Sequence, residues 1–282
     1  MEHVKTNGIT LATRNWPERG SPPSGRAIVC VHGLTANHTC WYPMAETLAA
    51  AHRLIAYDLR GRGDSDKPAK GYSLAEHNAD LLGLLDHFGL EKAVIMGHSL
   101  GAHIAVRFAA HHPERVDRLI LFDGGLDVRA EMFDSLAPAV NRLGIEFPSL
   151  DAFLGLMRSL PMFADRWNEH LTRYFTYDVE TAPGGGVRSK VARHAIDEEV
   201  ANLQRTRLWV WHHRIGAPTL LFRAPDGLLS ADDCLMTQEE AEAMAHAIRG
   251  CRLVVVPGTN HYTVLLGGEA LVKREAAAFL AG

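Results

Sequence analysis

Val94-Ile95-Met96-Gly97-His98-Ser99-Leu100-Gly101 is the stretch that decides the fold. An apolar run ends in Gly-x-Ser-x-Gly and passes at once into a helical pattern, Ser99–Ala110, which stops before Pro113. The spacing predicts a sharp strand-to-helix turn with the serine exposed at its apex. Glycines at 97 and 101 remove the side chains that would collide where strand and helix crowd together. The helix N-terminus just beyond supplies free N–H groups that favour a developing negative charge. Ser99 is therefore the candidate nucleophile.

Working outward, similar short apolar runs lie at Ala27–Val31, Leu54–Tyr57, Ala93–Met96, Leu119–Phe122, Thr219–Phe222 and Arg252–Val256. They do not alternate with polar residues, as expected of central parallel strands covered on both faces. Helical patterns separate them. Ser73-Leu74-Ala75-Glu76 is a capping box opening a helix to about Phe88, with Gly89 as its stop. Thr237-Gln238-Glu239-Glu240 is a second box whose helix ends near Gly250, and Glu269–Leu280 reads as a last helix. Asn7-Gly8 reads as a hairpin turn and Trp16–Gly25 as a loop. This alternation predicts an α/β fold: a mostly parallel central sheet with helices on both faces. From about Leu126 to Arg207 the alternation stops, and helical segments rich in Met and aromatics take over. The expected division is a core of residues 1–125 and 208–282, with a helical cap insertion at residues 126–207.

Composition excludes several classes. At 47% hydrophobic and 22% charged residues the chain is neither disordered, collagenous nor a coiled coil. A net charge of −4 gives no basic field for nucleic acid. No run of about 18 apolar residues suggests a membrane span. The polar N-terminus shows no signal peptide, so a cytoplasmic location is the default expectation. The four cysteines, at 30, 40, 234 and 251, have no metal or redox spacing. The 16 histidines invite a metal reading, yet no His-x-x-x-His or His-Glu-x-x-His pair falls on an expected helix. No metal is expected.

With these motifs in order, the sequence resembles the α/β-hydrolase fold superfamily over nearly its whole length, and in particular its serine esterases and lipases with a helical cap. His32-Gly33-Leu34, directly after a strand, looks like the oxyanion loop of that superfamily. Asp58-Leu59-Arg60-Gly61-Arg62-Gly63-Asp64-Ser65 looks like its loop after the next strand, with Arg60, Arg62 and Asp64 holding the loop. Pro257-Gly258-Thr259-Asn260-His261 looks like its late histidine loop. His261 also fits the chain order Ser…Asp…His and is the candidate base. The acid stays open between two positions. Asp123 ends the strand before the insertion, where open α/β sheets place their ligands. Asp226 follows the strand after it, one position early for the superfamily pattern. The oxyanion hole is expected from the backbone N–H groups of Leu34 and Leu100. His32 and His98 are expected to shape the loop and the turn, His111-His112 to sit at a helix end and His212-His213 in a surface loop. Trp41, Phe133, Phe163, Trp167 and Tyr262 are the expected pocket residues.

The resemblance implies cofactor-free hydrolysis of a small-molecule carboxylic ester or lactone, of small to medium acyl or aromatic type, through an acyl-enzyme. No nucleic-acid or membrane partner is implied. Ser99 argues against epoxide hydrolases and haloalkane dehalogenases, which use an aspartate nucleophile. Carbon–carbon bond hydrolases, cofactor-free perhydrolases or haloperoxidases, and a non-catalytic receptor on the same fold remain as alternatives.

Overall fold

The computed structural model describes residues 1–17, 23–230 and 232–282, apart from the side chains at 130, 131 and 133. The expected loop Trp16–Gly25 lies partly outside that range. Strands β1 (Glu2–Thr6) and β2 (Ile9–Trp16) form an antiparallel hairpin. Its turn residues Asn7 and Gly8 both have positive φ, 45° and 75°, the conformation a two-residue hairpin requires. β3 (Ala27–Val31), β4 (Arg53–Tyr57), β5 (Ala93–His98), β6 (Val116–Phe122), β9 (Thr219–Arg223) and β10 (Cys251–Val255) run parallel in the order β4-β3-β5-β6-β9-β10. β2 joins β4 antiparallel and completes an eight-stranded sheet.

Helices cover both faces: α1 (Tyr42–Leu48), α2 (Leu74–His87), α3 (Leu100–His111), α10 (Gln238–Ala247), α11 (Thr263–Leu266) and α12 (Ala270–Ala281). Both capping boxes form, at Ser73/Glu76 and Thr237/Glu240. Alternate residues of one strand enter opposite apolar layers. Ile28, Val94, Ile120 and Phe222 face one layer, and Val29, Ile95, Leu121 and Leu221 face the other. That double burial is why the strands read as unbroken apolar runs.

Between β6 and β9 the chain leaves the sheet. It forms α4 (Ala130–Ser135), α5 (Ala137–Asn141), α6 (Leu150–Ser159), α7 (Glu169–Asp178), α8 (Arg193–Arg205) and α9 (Trp209–His212). It also contains an antiparallel hairpin, β7 (Val179–Thr181) and β8 (Val187–Ser189), where no strand was expected. Its strands are three residues long and mostly outside the core, so no apolar run announces them. This excursion has no core to itself. Phe153, Met162, Phe163, Tyr174 and Phe175 are buried in the same layer as Trp41, Phe122 and Phe222 of the sheet side.

Polar contacts tie the excursion to the loop after β4. Tyr177 Oη donates to Asp58 Oδ2 at 2.6 Å, and Lys190 pairs with Asp64 at 2.8 Å. Glu199 accepts from Arg62 and, at 2.6 Å, from His77 Nε2. Arg60 forks onto both oxygens of Asp80, at 2.7 and 2.6 Å. Burial alone would raise the Glu199 carboxyl, but the Arg62 charge and the His77 hydrogen bond bring it below its ordinary range. Among the described residues no helix is long and apolar enough to cross a membrane.

Glu199→Gln would leave the buried Arg62 cation uncompensated. It is expected to cost about 3 kcal/mol or more of folding stability, read from urea denaturation midpoints.

Candidate active site

Ser99 caps α3 at φ 55°, ψ −119°, a conformation that non-glycine residues rarely adopt. It is held there from both sides. Its N–H donates to Phe122 O at 3.0 Å, and its carbonyl accepts from Ala102 N at 2.9 Å. The surrounding glycines make the turn possible. A Cβ on Gly101 would lie 1.8 Å from Val31 O, and one on Gly97 would lie 2.4 Å from Gly101 O. A Cβ on Gly124 would lie 2.6 Å from Ser99 O.

Asp123, the next residue after β6, also has positive φ, 45°. Its N–H donates to Phe222 O at 2.8 Å, and its Oδ1 accepts from Ala224 N at 3.0 Å. Its Oδ2 accepts from His261 Nδ1 at 2.8 Å, with both side chains at most 4% exposed. This bond fixes the proton on Nδ1 and leaves the Nε2 lone pair free. Asp226, the other expected acid, donates its backbone N–H to Thr259 O at 3.0 Å but makes no hydrogen bond or ion pair with His261 among the described residues. Its carboxylate faces outward and pairs with Arg166 at 2.7 Å.

The loop carrying His261 is braced by its neighbours. Asn260 Oδ1 accepts from the N–H groups of Tyr262 and Thr263 at 3.1 and 3.0 Å, and its Nδ2 donates to Met162 O at 2.8 Å. His98 Nε2 donates to His261 O at 2.8 Å.

The loop after β3 is oriented by two side chains. His32 Nε2 accepts from Leu59 N at 2.9 Å, so its Nδ1 carries the proton and donates to Gly33 O at 2.8 Å. In a trans peptide the N–H points opposite to the C=O, so this bond sets the direction of the Leu34 N–H. Arg62 Nε holds Leu34 O at 2.9 Å. A Cβ on Gly33 would be 3.2 Å from Ser99 Cβ, which shows how closely this loop approaches the serine.

Two chambers adjoin Ser99 and His261. The first, about 470 Å³, lies among Gly33, Leu34, Ala36, Val140, Tyr174, Tyr262 and Leu266. The second, about 510 Å³, lies among Leu100, His103, Leu126, Val128, Met132, Leu203 and Met236. Leu34, Ser99, Leu136 and His261 border both. A smaller cavity of about 240 Å³ touches Phe163, Tyr262 and Arg142. The Arg142 cation is paired with Asp178 at 3.2 Å.

The expected pocket residues divide. Tyr262 lines the first chamber and Phe163 the smaller cavity. Trp41 does not reach either chamber, because the short turn His38–Trp41 buries its indole edge-on against Phe122, centroids 5.8 Å apart. Trp167 also stays outside them, stacked on Phe175 at 5.6 Å with its Nε1 donating to Thr172. The side chain of Phe133 lies outside the described residues. Leu136, His103, Leu203 and Met236 line the chambers without having been expected. Only His103 carried a local signal, standing one helical turn after Ser99.

Half of the 16 histidines face inward. His32, His38, His77, His98, His103, His170, His212 and His261 are all buried. His212 is not in a surface loop: α9 packs on α3, and His212 Nε2 donates to Gly125 O at 2.8 Å. Glu46, Glu169 and His170 approach metal-ligand spacing, but the two carboxylates are exposed.

A profile of the alpha/beta hydrolase fold matches residues 26–268. The chain belongs to the alpha/beta hydrolase fold family. This member is similar to a 2-(acetamidomethylene)succinate hydrolase of Mesorhizobium japonicum, 29% identical over 96% of this chain and 91% of that one. In three dimensions it resembles the crystal structure of an E-2-(acetamidomethylene)succinate hydrolase, with TM-score 0.87, 24% identity and coverage of 100% and 98%. It also resembles an enol-lactonase of Burkholderia xenovorans, with TM-score 0.76, 21% identity and both chains fully covered. At those identities the two structures testify to the fold. The coarse class is an enzyme of the alpha/beta hydrolase family.

Burial pushes several of this hydrolase's histidines down, His32 and His103 to about 4 and His98 well below its ordinary value. Below pH 6.5 the unfolded chain therefore binds more protons than the folded one, and stability falls as pH drops. His32 and His103 are each expected to contribute about 3 kcal/mol of destabilisation by pH 4. Urea midpoints at pH 7 and pH 4.5 check this, and equal midpoints contradict it.

Proposed function

We propose that the chain is a serine hydrolase of uncharged carboxylic esters, acting through an acyl-enzyme on Ser99. The observation that carries this reading is the 2.8 Å hydrogen bond from His261 to Asp123, with Ser99 in a strained turn beside the same chambers. His261 Nε2 takes the Ser99 proton as the hydroxyl attacks the carbonyl, then returns it to the departing alkoxide. Asp123 orients the ring and stabilises its charged form. The N–H groups of Leu34 and Leu100 hold the tetrahedral oxyanion. His261 then deprotonates a water that attacks the acyl carbon, and it returns that proton to Ser99 Oγ as the C–Oγ bond breaks and the acid leaves. No step calls for a cofactor.

Residues 126–207 serve as the cap in this reading, with Met132, Leu136 and Leu203 roofing the chambers. Largely apolar walls on either side of Ser99 suit an ester with small to medium acyl and alcohol halves. The succinate in the relative's name is a dicarboxylate. Neither chamber has a Lys or Arg among its described lining residues, which favours an uncharged substrate here.

Ser99→Ala is expected to reduce hydrolysis of p-nitrophenyl butyrate to background and to abolish labelling by a fluorophosphonate. Retained turnover in the purified variant refutes the mechanism. Asp123→Asn is expected to lower kcat by up to about 10⁴-fold, whereas Asp226→Asn changes it little. Steady-state kinetics of the two variants side by side decide between the acids.

A further inference from the structure

His103 lies one turn beyond Ser99 on α3 and is nine-tenths buried. Its Nδ1 is 2.7 Å from the carbonyl oxygen of Ser99, a separation that requires a proton on that nitrogen. The Gly125 N–H, 3.2 Å from the same Nδ1, then has no lone pair there to use. Nε2 keeps the lone pair and makes no hydrogen bond among the described residues. His103 borders the second chamber, whose remaining walls include Leu126, Val128, Met132, Leu203 and Met236. Among the described residues the other polar side chains lining that chamber are Ser99, Asp123 and His261, the reacting set.

We propose that His103 is a specificity-determining residue, whose Nε2 accepts a hydrogen bond from a hydroxyl or amide N–H on the half of the substrate that occupies the second chamber. Nε2 is an acceptor on a largely apolar wall that no protein donor satisfies among the described residues, so a ligand that brings a donor there gains over one of equal shape that does not. The substrate class is then an uncharged ester whose half in the second chamber carries a hydrogen-bond donor. This rests on the proposed ester hydrolysis at Ser99.

The test uses two isosteric pairs in which a hydroxyl replaces a methyl. Ethyl 3-hydroxybutanoate against ethyl 3-methylbutanoate probes the acyl side. 2-Hydroxyethyl butanoate against propyl butanoate probes the alcohol side. In one pair, the hydroxyl-to-methyl ratio of kcat/KM is expected to fall about tenfold from wild type to His103→Phe. His103→Gln, which restores an acceptor, is expected to keep part of the preference. Ratios in both pairs that are the same in wild type and His103→Phe overturn the assignment, even if all rates drop together, since a merely structural role would lower both members equally. If the wild type turns over none of the four esters beyond the Ser99→Ala rate, the ester reading itself fails, and the assignment falls with it.

Discussion

The close approach of α3 to β3 and β5 is the constraint on which the rest depends. Gly101 lies so near Val31 O that any side chain there would overlap the strand, and Gly97 meets Gly101 in the same way. Only with that contact closed does the chain turn through Ser99 at φ 55° and leave the hydroxyl at the head of the sheet. The strain persists because backbone bonds from β6 and α3 over-determine it. Asp123, on the neighbouring strand end, also has positive φ and is likewise held by hydrogen bonds to the next strand and the residue after it. Two residues of positive φ on adjacent strand ends thus meet one histidine loop.

A second layer of order comes from the loop after β4. Asp58 accepts from His38 N and Nδ1, both at 2.9 Å, and from Tyr177. Burial alone would raise this carboxyl, but those hydrogen bonds lower it below its ordinary range. Arg62 reaches the Leu34 carbonyl on one side and Glu199 of the excursion on the other. One buried guanidinium therefore connects the loop that faces Ser99 to the helices that roof the chambers. Arg serves here because its fork satisfies several acceptors at once in a dry environment.

Much of this was legible in residue order. The parallel strands betrayed themselves as unbroken apolar runs because both faces are covered. Ser99 stood out because glycines at two fixed spacings have few other uses beside a strand end. The hairpin at Val179–Ser189 was not legible, since strands of three half-exposed residues leave no hydrophobic pattern. Nor was the burial of His38, His77 and His212, because facing inward depends on which helix packs on which. Trp41 and Trp167 were misplaced for a related reason: an aromatic near the site in sequence fills whatever gap the tertiary packing leaves.

By itself the sequence determined the sheet, the turn at Ser99 and the identity of the histidine loop, since each rests on local periodicity or on glycines demanded by local sterics. The partner of His261 was decided only by the tertiary structure. Asp123 and Asp226 both follow strands and both suit the chain order, and the Asp226 backbone even bonds to the histidine loop, yet only the Asp123 carboxylate meets the imidazole while that of Asp226 pairs with Arg166. The chambers were decided there too, by segments as distant as Leu34, Leu136 and Met236. A cavity is the space left between packed elements, and no single segment encodes it.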